Sequence, residues 1–204
     1  MSAITQIQQS DIPLLGTPIG GGFAVSPYRH GNQLRLLIVS GKEHEFRGEW
    51  ENYGNHIAGA DSYYDGVKNT IAMAEADSGI AQRVLNLRAG DADDWSIAAR
   101  DQKELIYRAF KPTPQQNFCS FRDGENPSAM IATYPYTPEL PAQTSIAEFM
   151  EGGAQAFLNA IYWTSTQYSA LNAWVQDFAD GLQDYSLKDL EFAVRSVRSI
   201  LIIQ

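Results

Sequence analysis

With one cysteine, Cys119, the 204-residue chain has no internal disulfide, and its fold does not depend on oxidation. In the Phe-rich stretch "NFCSF" this thiol is expected to be a small packed side chain. Basic residues are scarce too: 15 Lys and Arg stand against 24 Asp and Glu, a formal charge of −9, and nowhere do they form a run. A phosphate backbone needs a basic track, so no nucleic-acid partner is expected. Charged residues make up only 19% of the chain, against roughly 25% in average soluble proteins, which leaves much of the surface to uncharged polar groups. Such a surface suits contact. No uninterrupted apolar span reaches the roughly 18 residues of a membrane helix, so no membrane insertion is expected. The N-terminal "MSAITQIQQSDIPLLG" lacks the basic start and apolar stretch of a secretion signal, and the chain is expected to be made in the cytoplasm.

Catalytic patterns are equally thin. The three histidines, His30, His44 and His56, all fall in the first 56 residues, and no serine sits in a Gly-x-Ser-x-Gly elbow. Glu43, His44 and Glu45, or Asp91, Asp93 and Asp94, would be the candidate metal clusters. Neither spells a known ligand spacing, and each reads as a solvated acidic turn. "GGG" at 20–22 lacks the Lys-Ser/Thr of a phosphate loop and reads as a flexible joint. The chain is expected not to be an enzyme and to carry no metal or cofactor.

What is present suggests one large domain. Residues 1–21 mix Gln, Ser, Pro and Gly and read as an extended arm that could attach the domain, residues 22–204, to a larger body. "GFAVSPY" and "LRLLIVS" read as strands of a hairpin whose Gly31-Asn32 supplies the positive backbone angles of a tight turn. Residues 42–55 show no clear period. Asp61 is a candidate N-cap for a helix burying Val67, Ile71 and Ala74, followed after Gly79 by a second with Ile80, Val84 and Leu87 on one face. A third helix is expected from about Arg100, burying Leu105 and Ile106 and ending at Lys111-Pro112. Residues 111–144 hold six of the nine prolines and read as a long loop inserted in the domain. A short helix around 145–150 precedes strands at 161–165, 173–178, near 182–185 and at 191–201. In the last of these neither face is cleanly apolar, so Arg195 or Arg198 must point inward to a carboxylate or carbonyls. Strands at both ends with helices between them make an α+β class, with an antiparallel sheet flanked by helices and long irregular loops.

The C-terminal run "YWTSTQYSALNAWVQDFADGLQDYSLKDLEFAVRSVRSI" resembles the ending of the Lcl C-terminal domain family, lectin-like domains of bacterial adhesins and phage proteins. The shared pattern is carried by Tyr162, Trp163, Ser165, Thr166, Ala173, Trp174, Phe178, Gly181, Lys188, Val194, Arg195, Val197 and Arg198. Upstream, Asp94, Trp95, Glu104 and Leu105 are similar to the family's Asp-Trp turn and Glu-Leu helix, although Ile97 and Ala98 replace its usual Leu-Pro. "NPSAMIATYPYTPELPAQT" and "GADSYYDGVKNTIAMAEA" resemble a phage and prophage branch, akin to the variable proteins of diversity-generating retroelements.

The resemblance implies a C-type-lectin-like fold in which large fixed residues, Trp163, Trp174 and Phe178, each contribute roughly 2–3 kcal/mol by burial and carry tolerant loops. Tyr168, Leu171, Asn172, Gln176, Gln183, Asp184, Tyr185 and Leu187 are the expected ligand-binding residues, in the Tyr, Asn, Ser and Asp composition of adaptable recognition loops. The calcium loops of sugar-binding C-type lectins have no match in "GENPS" or "AWVQDF". A lone cysteine departs from the formylglycine-generating branch of such folds. The expected function is a phage virion protein, on the tail or capsid exterior, that binds a host surface protein or glycan and contacts other virion proteins through its arm. The alternative is a structural capsid or tail decoration protein without receptor binding. Oligomeric state is left open, a homotrimer being the assembly the resemblance suggests.

Overall fold

The computed structural model describes residues 3–119, 125–131 and 133–204. Its first sheet has the order β1 (Gln6–Gln8), β11 (Ser196–Ile203), β4 (Gln33–Ser40), β3 (Gly22–His30), β2 (Pro18–Ile19), with β6 (Ser96–Ile97) also pairing β11. The second has the order β5 (Phe46–Glu49), β10 (Glu191–Val194), β7 (Ile161–Gln167), β8 (Asn172–Asp177), β9 (Gln183–Leu187). Helices α1 (Gly66–Glu75), α2 (Gly79–Leu85) and α3 (Arg100–Phe110) lie between them in sequence. The α+β class holds, but the sheet arrangement is richer than the single antiparallel sheet expected. Among the described residues there are two sheets, and β1–β11 and β10–β7 pair parallel.

The β3–β4 hairpin forms as expected around Gly31, at φ +58°. The run "LRLLIVS" is apolar without alternation because β4 is buried on both faces. Leu36 and Ile38 join Trp50, Met73, Val84, Trp95 and Trp163 in one core cluster. Leu37 and Val39 join Tyr28, Ile106, Phe110, Phe149 and Phe178 in the other.

Several expectations are corrected. The described part of the expected arm 1–21, residues 3–21, is not a free arm: β1 and β2 are sheet strands, and the buried Arg198 donates to the carbonyls of Ile4 (2.8 Å) and Gly20 (3.0 Å) while pairing with Asp94 (2.6 Å). "GGG" is a close-approach site rather than a joint. A Cβ on Gly21, at φ +83°, would lie 2.0 Å from the Ala89 carbonyl oxygen. Helix α1 is capped by Asp65, which accepts from Lys68 N at 2.9 Å, not by Asp61. It buries Asn69, Thr70 and Met73 and leaves Val67 and Ile71 exposed. Thr70 Oγ1 accepts from Ile97 N (2.9 Å) and Asn69 Nδ2 donates to Ser62 O (2.7 Å), so specific hydrogen bonds overrode the apolar stripe.

Another concerns residues 191–201, which are two strands in different sheets. They break at Arg195, whose guanidinium donates to the Ser40 and Gln155 carbonyls at 2.9 and 2.8 Å. Both Arg195 and Arg198 point inward, as their mixed-face strand required. α3 begins where Gln102 Oε1 reaches back to Ala99 N (2.8 Å), and it ends at Phe110 before Lys111-Pro112. The described part of the Pro-rich stretch 111–144 has no helix or strand. It is fastened by Asn117, which accepts from the Tyr107 hydroxyl (2.6 Å) and donates to Pro141 O (3.0 Å). Cys119 at its edge is exposed, not packed. No helix among the described residues is long and apolar enough to cross a membrane.

Candidate binding surface on the second sheet

Registers in β8 and β9 decide which expected site residues can meet. Trp174 pairs with Tyr185, Asn172 with Leu187 and Gln176 with Gln183, so these six side chains share one sheet face. α3 packs against β8 and covers its Gln176 end. There Gln176 Nε2 donates to Gly181 O (2.6 Å), and Gln183 Nε2 donates to Gln176 Oε1 (3.1 Å) and to Arg100 O (3.0 Å). Gln176 and Gln183, expected to bind ligand, are instead fully buried and hold the hairpin closed. Asp184 lies on the opposite face of β9, opposite Val175, and is not part of the surface either.

The uncovered end carries the rest. Trp174 is a nearly buried floor. Tyr168 and Tyr185 stand on it edge-on, at 87° and 89° to its plane, and stack on each other with centroids 4.0 Å apart and planes 1° from parallel. Both tyrosines, with Leu171 and Leu187, are 40–50% exposed, and Asn172 is half-buried beside them. The turn between β7 and β8 holds this arrangement. Ser169 Oγ accepts from Leu171 N and Asn172 N at 3.1 Å each, and Tyr168 N and Ser169 N both donate to Asn172 O at 2.9 and 3.0 Å. With its backbone pinned, the turn holds Tyr168 and Leu171 outward.

Three contributors come from far away in sequence and were missed. Tyr63 meets Trp174 edge-on at 6.2 Å, and the Arg100 guanidinium lies 3.9 Å over the Trp174 ring and 4.9 Å over Tyr63. The exposed Tyr53 adjoins the turn through Gly54 N, which donates to Ala170 O at 3.0 Å. "SYYD" held the available signal, but it was absorbed into a helix that actually begins at Gly66. Lys188 locks these loops together, donating to Asn55 O (2.9 Å) and Gln167 Oε1 (3.2 Å), and burial lowers its pKa to about 8.

Chemically the surface offers rings, two leucines and a few amide and hydroxyl groups. Ser165 is buried, its N–H donates to Ala98 O (2.9 Å), and its hydroxyl accepts from Asn69 Nδ2 (3.3 Å). Trp163 and Phe178 are buried supports, as expected. A separate cavity of about 410 Å³ is lined by Tyr28, His30, Arg35, Asp65, Val67 and Ile71. His30 Nε2 lies 3.3 Å from Asp65, and that hydrogen bond lowers the Asp65 pKa. The hydroxyl of Ser199, which also lines this cavity, accepts from Arg35 (3.5 Å), and no hydrogen bond joins it to His30 among those described. No group of three or more His, Cys, Asp or Glu among the described residues is placed to hold a metal ion. No protein-family model matches the chain, and no curated protein is significantly similar to it.

Proposed function

We propose that this protein is a virion-associated phage protein with a C-type-lectin-like fold that recognises a host surface protein or glycan through Tyr168, Leu171, Tyr185 and Leu187. The observation that carries this is the joint exposure of four large apolar and aromatic side chains, two on a hydrogen-bonded turn and two on the adjoining strand β9. Burying the exposed remainder of each would be worth about 1 kcal/mol, so a cluster left in water has the character of a contact surface. Tyrosine adds large area at low entropic cost, with a hydroxyl for adaptable hydrogen bonds. The lectin-like fold is supported by the C-terminal sequence resemblance and by the meeting of both chain ends, β1 and β11, in one sheet. A tail location is part of the proposal. The virion contact cannot use residues 3–19 as a free arm, because they are packed on the body.

The alternative, a capsid or tail decoration protein, is favoured by a second apolar surface. This is a cavity of about 470 Å³ lined by Leu15, Val25, Leu105, Met130 and Tyr134, with Leu14 and Ile131 strongly exposed in the same two segments. Phage carrying Tyr168→Ala and Tyr185→Ala separates the two. Receptor recognition predicts intact particles with lost adsorption, and labelled antibody should find the protein at the tail. Unchanged adsorption, or absence of the protein from purified particles, overturns the receptor role.

A further inference from the structure

We propose that the cavity of about 410 Å³ between α1 and the first sheet binds a small organic acid, with its single carboxylate on Arg35 and an apolar flank against Val67 and Ile71. None of the residues lining it belongs to the Tyr168 surface, so this second site stands whether or not that surface binds a receptor. Arg35 is the anchor. Its Nε and one terminal nitrogen donate to Gln33 Oε1 at 3.1 and 3.0 Å, and the other terminal nitrogen donates to Ser199 Oγ at 3.5 Å. All these acceptors are neutral, and no carboxylate among the described residues forms an ion pair with Arg35. The bonds fix the plane of the guanidinium while using three of its five N–H donors. A planar carboxylate matches such a fork, and charge-assisted hydrogen bonds of this kind are about twice as strong as neutral ones.

The charges of the lining favour one anionic group. Arg35 and the exposed Lys68 face a single acid, Asp65, which leaves +1 with His30 neutral, in a chain whose formal charge is −9. Asp65 is already engaged, because its Oδ1 accepts from Lys68 N at 2.9 Å as the cap of α1 and lies 3.3 Å from His30 Nε2. A carboxylate balances this site, whereas a dianionic phosphate overfills it. One wall is apolar. Val67 and Ile71, one turn apart on α1, are 42% and 43% exposed and line the cavity with Tyr28. Their stripe reads as core in the sequence, yet it stays uncovered beside a fixed cation. Gln102 Nε2 donates to the Tyr28 hydroxyl at 2.8 Å, both residues are buried, and the His30 ring is set edge-on to Tyr28 and Tyr64 at 6.2 and 5.6 Å. A preformed cleft of roughly 300–1,000 Å³ with apolar walls and a few fixed polar groups is the usual form of a small-molecule site. Two sources carry the same chemistry: a free aliphatic acid, or an acidic sugar whose C–H face packs on the aliphatic wall.

The test is an NMR titration of the full chain, following the methyl groups of Val67 and Ile71 and the ring of His30. The probes are isocaproate and methyl glucuronide, their neutral counterparts isocaproamide and methyl glucoside, and inorganic phosphate. At least one of the two acids should shift all three residues and bind about tenfold more tightly than its neutral counterpart. Binding of isocaproate alone identifies a free acid as the source and binding of the glucuronide alone a sugar acid, and either supports the proposal. Arg35→Gln should lose about tenfold in affinity. Lys68→Glu reverses a charge at an exposed position, so it tests the site even if Arg35→Gln does not fold. It should weaken binding about three- to fivefold at low salt and by less at high salt. Equal binding of the neutral counterparts, tighter binding of phosphate than of either acid, or shifts confined to other residues overturns the proposal. So does the absence of a saturable shift with both acids, or unchanged affinity in the folded variants. Phage adsorption by the Tyr168→Ala and Tyr185→Ala variants reads out the other surface separately.

Discussion

Lys103→Met should make this protein more stable, and most so in mild acid. Lys103 sits on α3 with its side chain fully buried, and its ammonium has no hydrogen-bond partner among the described residues. It lies 5.4 Å over the Tyr162 ring. Burial lowers its pKa from 10.5 to about 7, partly opposed by Glu45 and assisted by the Arg195 charge. Between about 7 and 10.5 the unfolded chain therefore holds a proton that the folded chain lacks, so this residue makes stability rise with pH. Its penalty is fully present below about 7. A displacement of that size corresponds to a ceiling of about 5 kcal/mol, of which about 2–3 kcal/mol is relieved between pH 6 and pH 9. Methionine has similar length and no charge, and it packs well against aromatic rings. Urea denaturation of both proteins across pH 6–9, followed by tryptophan fluorescence, should show the variant about 2–4 kcal/mol more stable at pH 6 with the gap narrowing toward pH 9. A variant less stable at pH 6, or a gap independent of pH, would refute a buried, unsatisfied ammonium.

Arg198→Ala should cost about 3–5 kcal/mol, since it leaves Asp94 and the Ile4 and Gly20 carbonyls without their buried cation. Amide exchange should accelerate first in β1 and at Leu201, whose N–H donates to Thr5 O at 3.0 Å. Gln176→Ala should lower stability by about 1–2 kcal/mol in thermal unfolding, because the Gly181 carbonyl loses its donor, and should leave binding at the tyrosine face intact in the folded protein. Trp174→Ala should cost about 3–5 kcal/mol and also abolish the 4.0 Å Tyr168–Tyr185 stack, visible as loss of their ring-current shifts. Tyr168→Ala and Tyr185→Ala, at exposed positions, should change the unfolding free energy by less than about 1 kcal/mol.

Much of the local structure was legible because its causes are local. The Gly31-Asn32 turn, the stripe of α2, and the stop of α3 at Lys111-Pro112 depend on neighbours within a few residues. The inward arginines were also legible, since a strand with Arg on both faces leaves at least one facing a core. The face of α1 was not. Asn69 and Thr70 are buried because their partners, Ser62, Ile97, Ser165 and Thr166, arrive from other segments, and no periodicity within the helix announces that.

The binding surface divides the same way. Composition and the C-terminal pattern marked the strip 168–187, and five of its eight expected residues do meet at one end of the second sheet. The register of β8 with β9 puts Gln176 and Trp174 on one face, but only α3 lying across that face decided that the glutamines are covered while the tyrosines remain part-exposed. Asp184 went to the opposite face by the parity of β9, once its register with β8 was set. Tyr63 and Arg100 reach Trp174 from roughly 110 and 70 residues upstream. The chain encodes its turns, caps and apolar runs through short-range sterics and hydrogen bonding. Which of the exposed-looking residues remain exposed depends on what packs over them, and packing is set by contacts between segments that no single stretch contains.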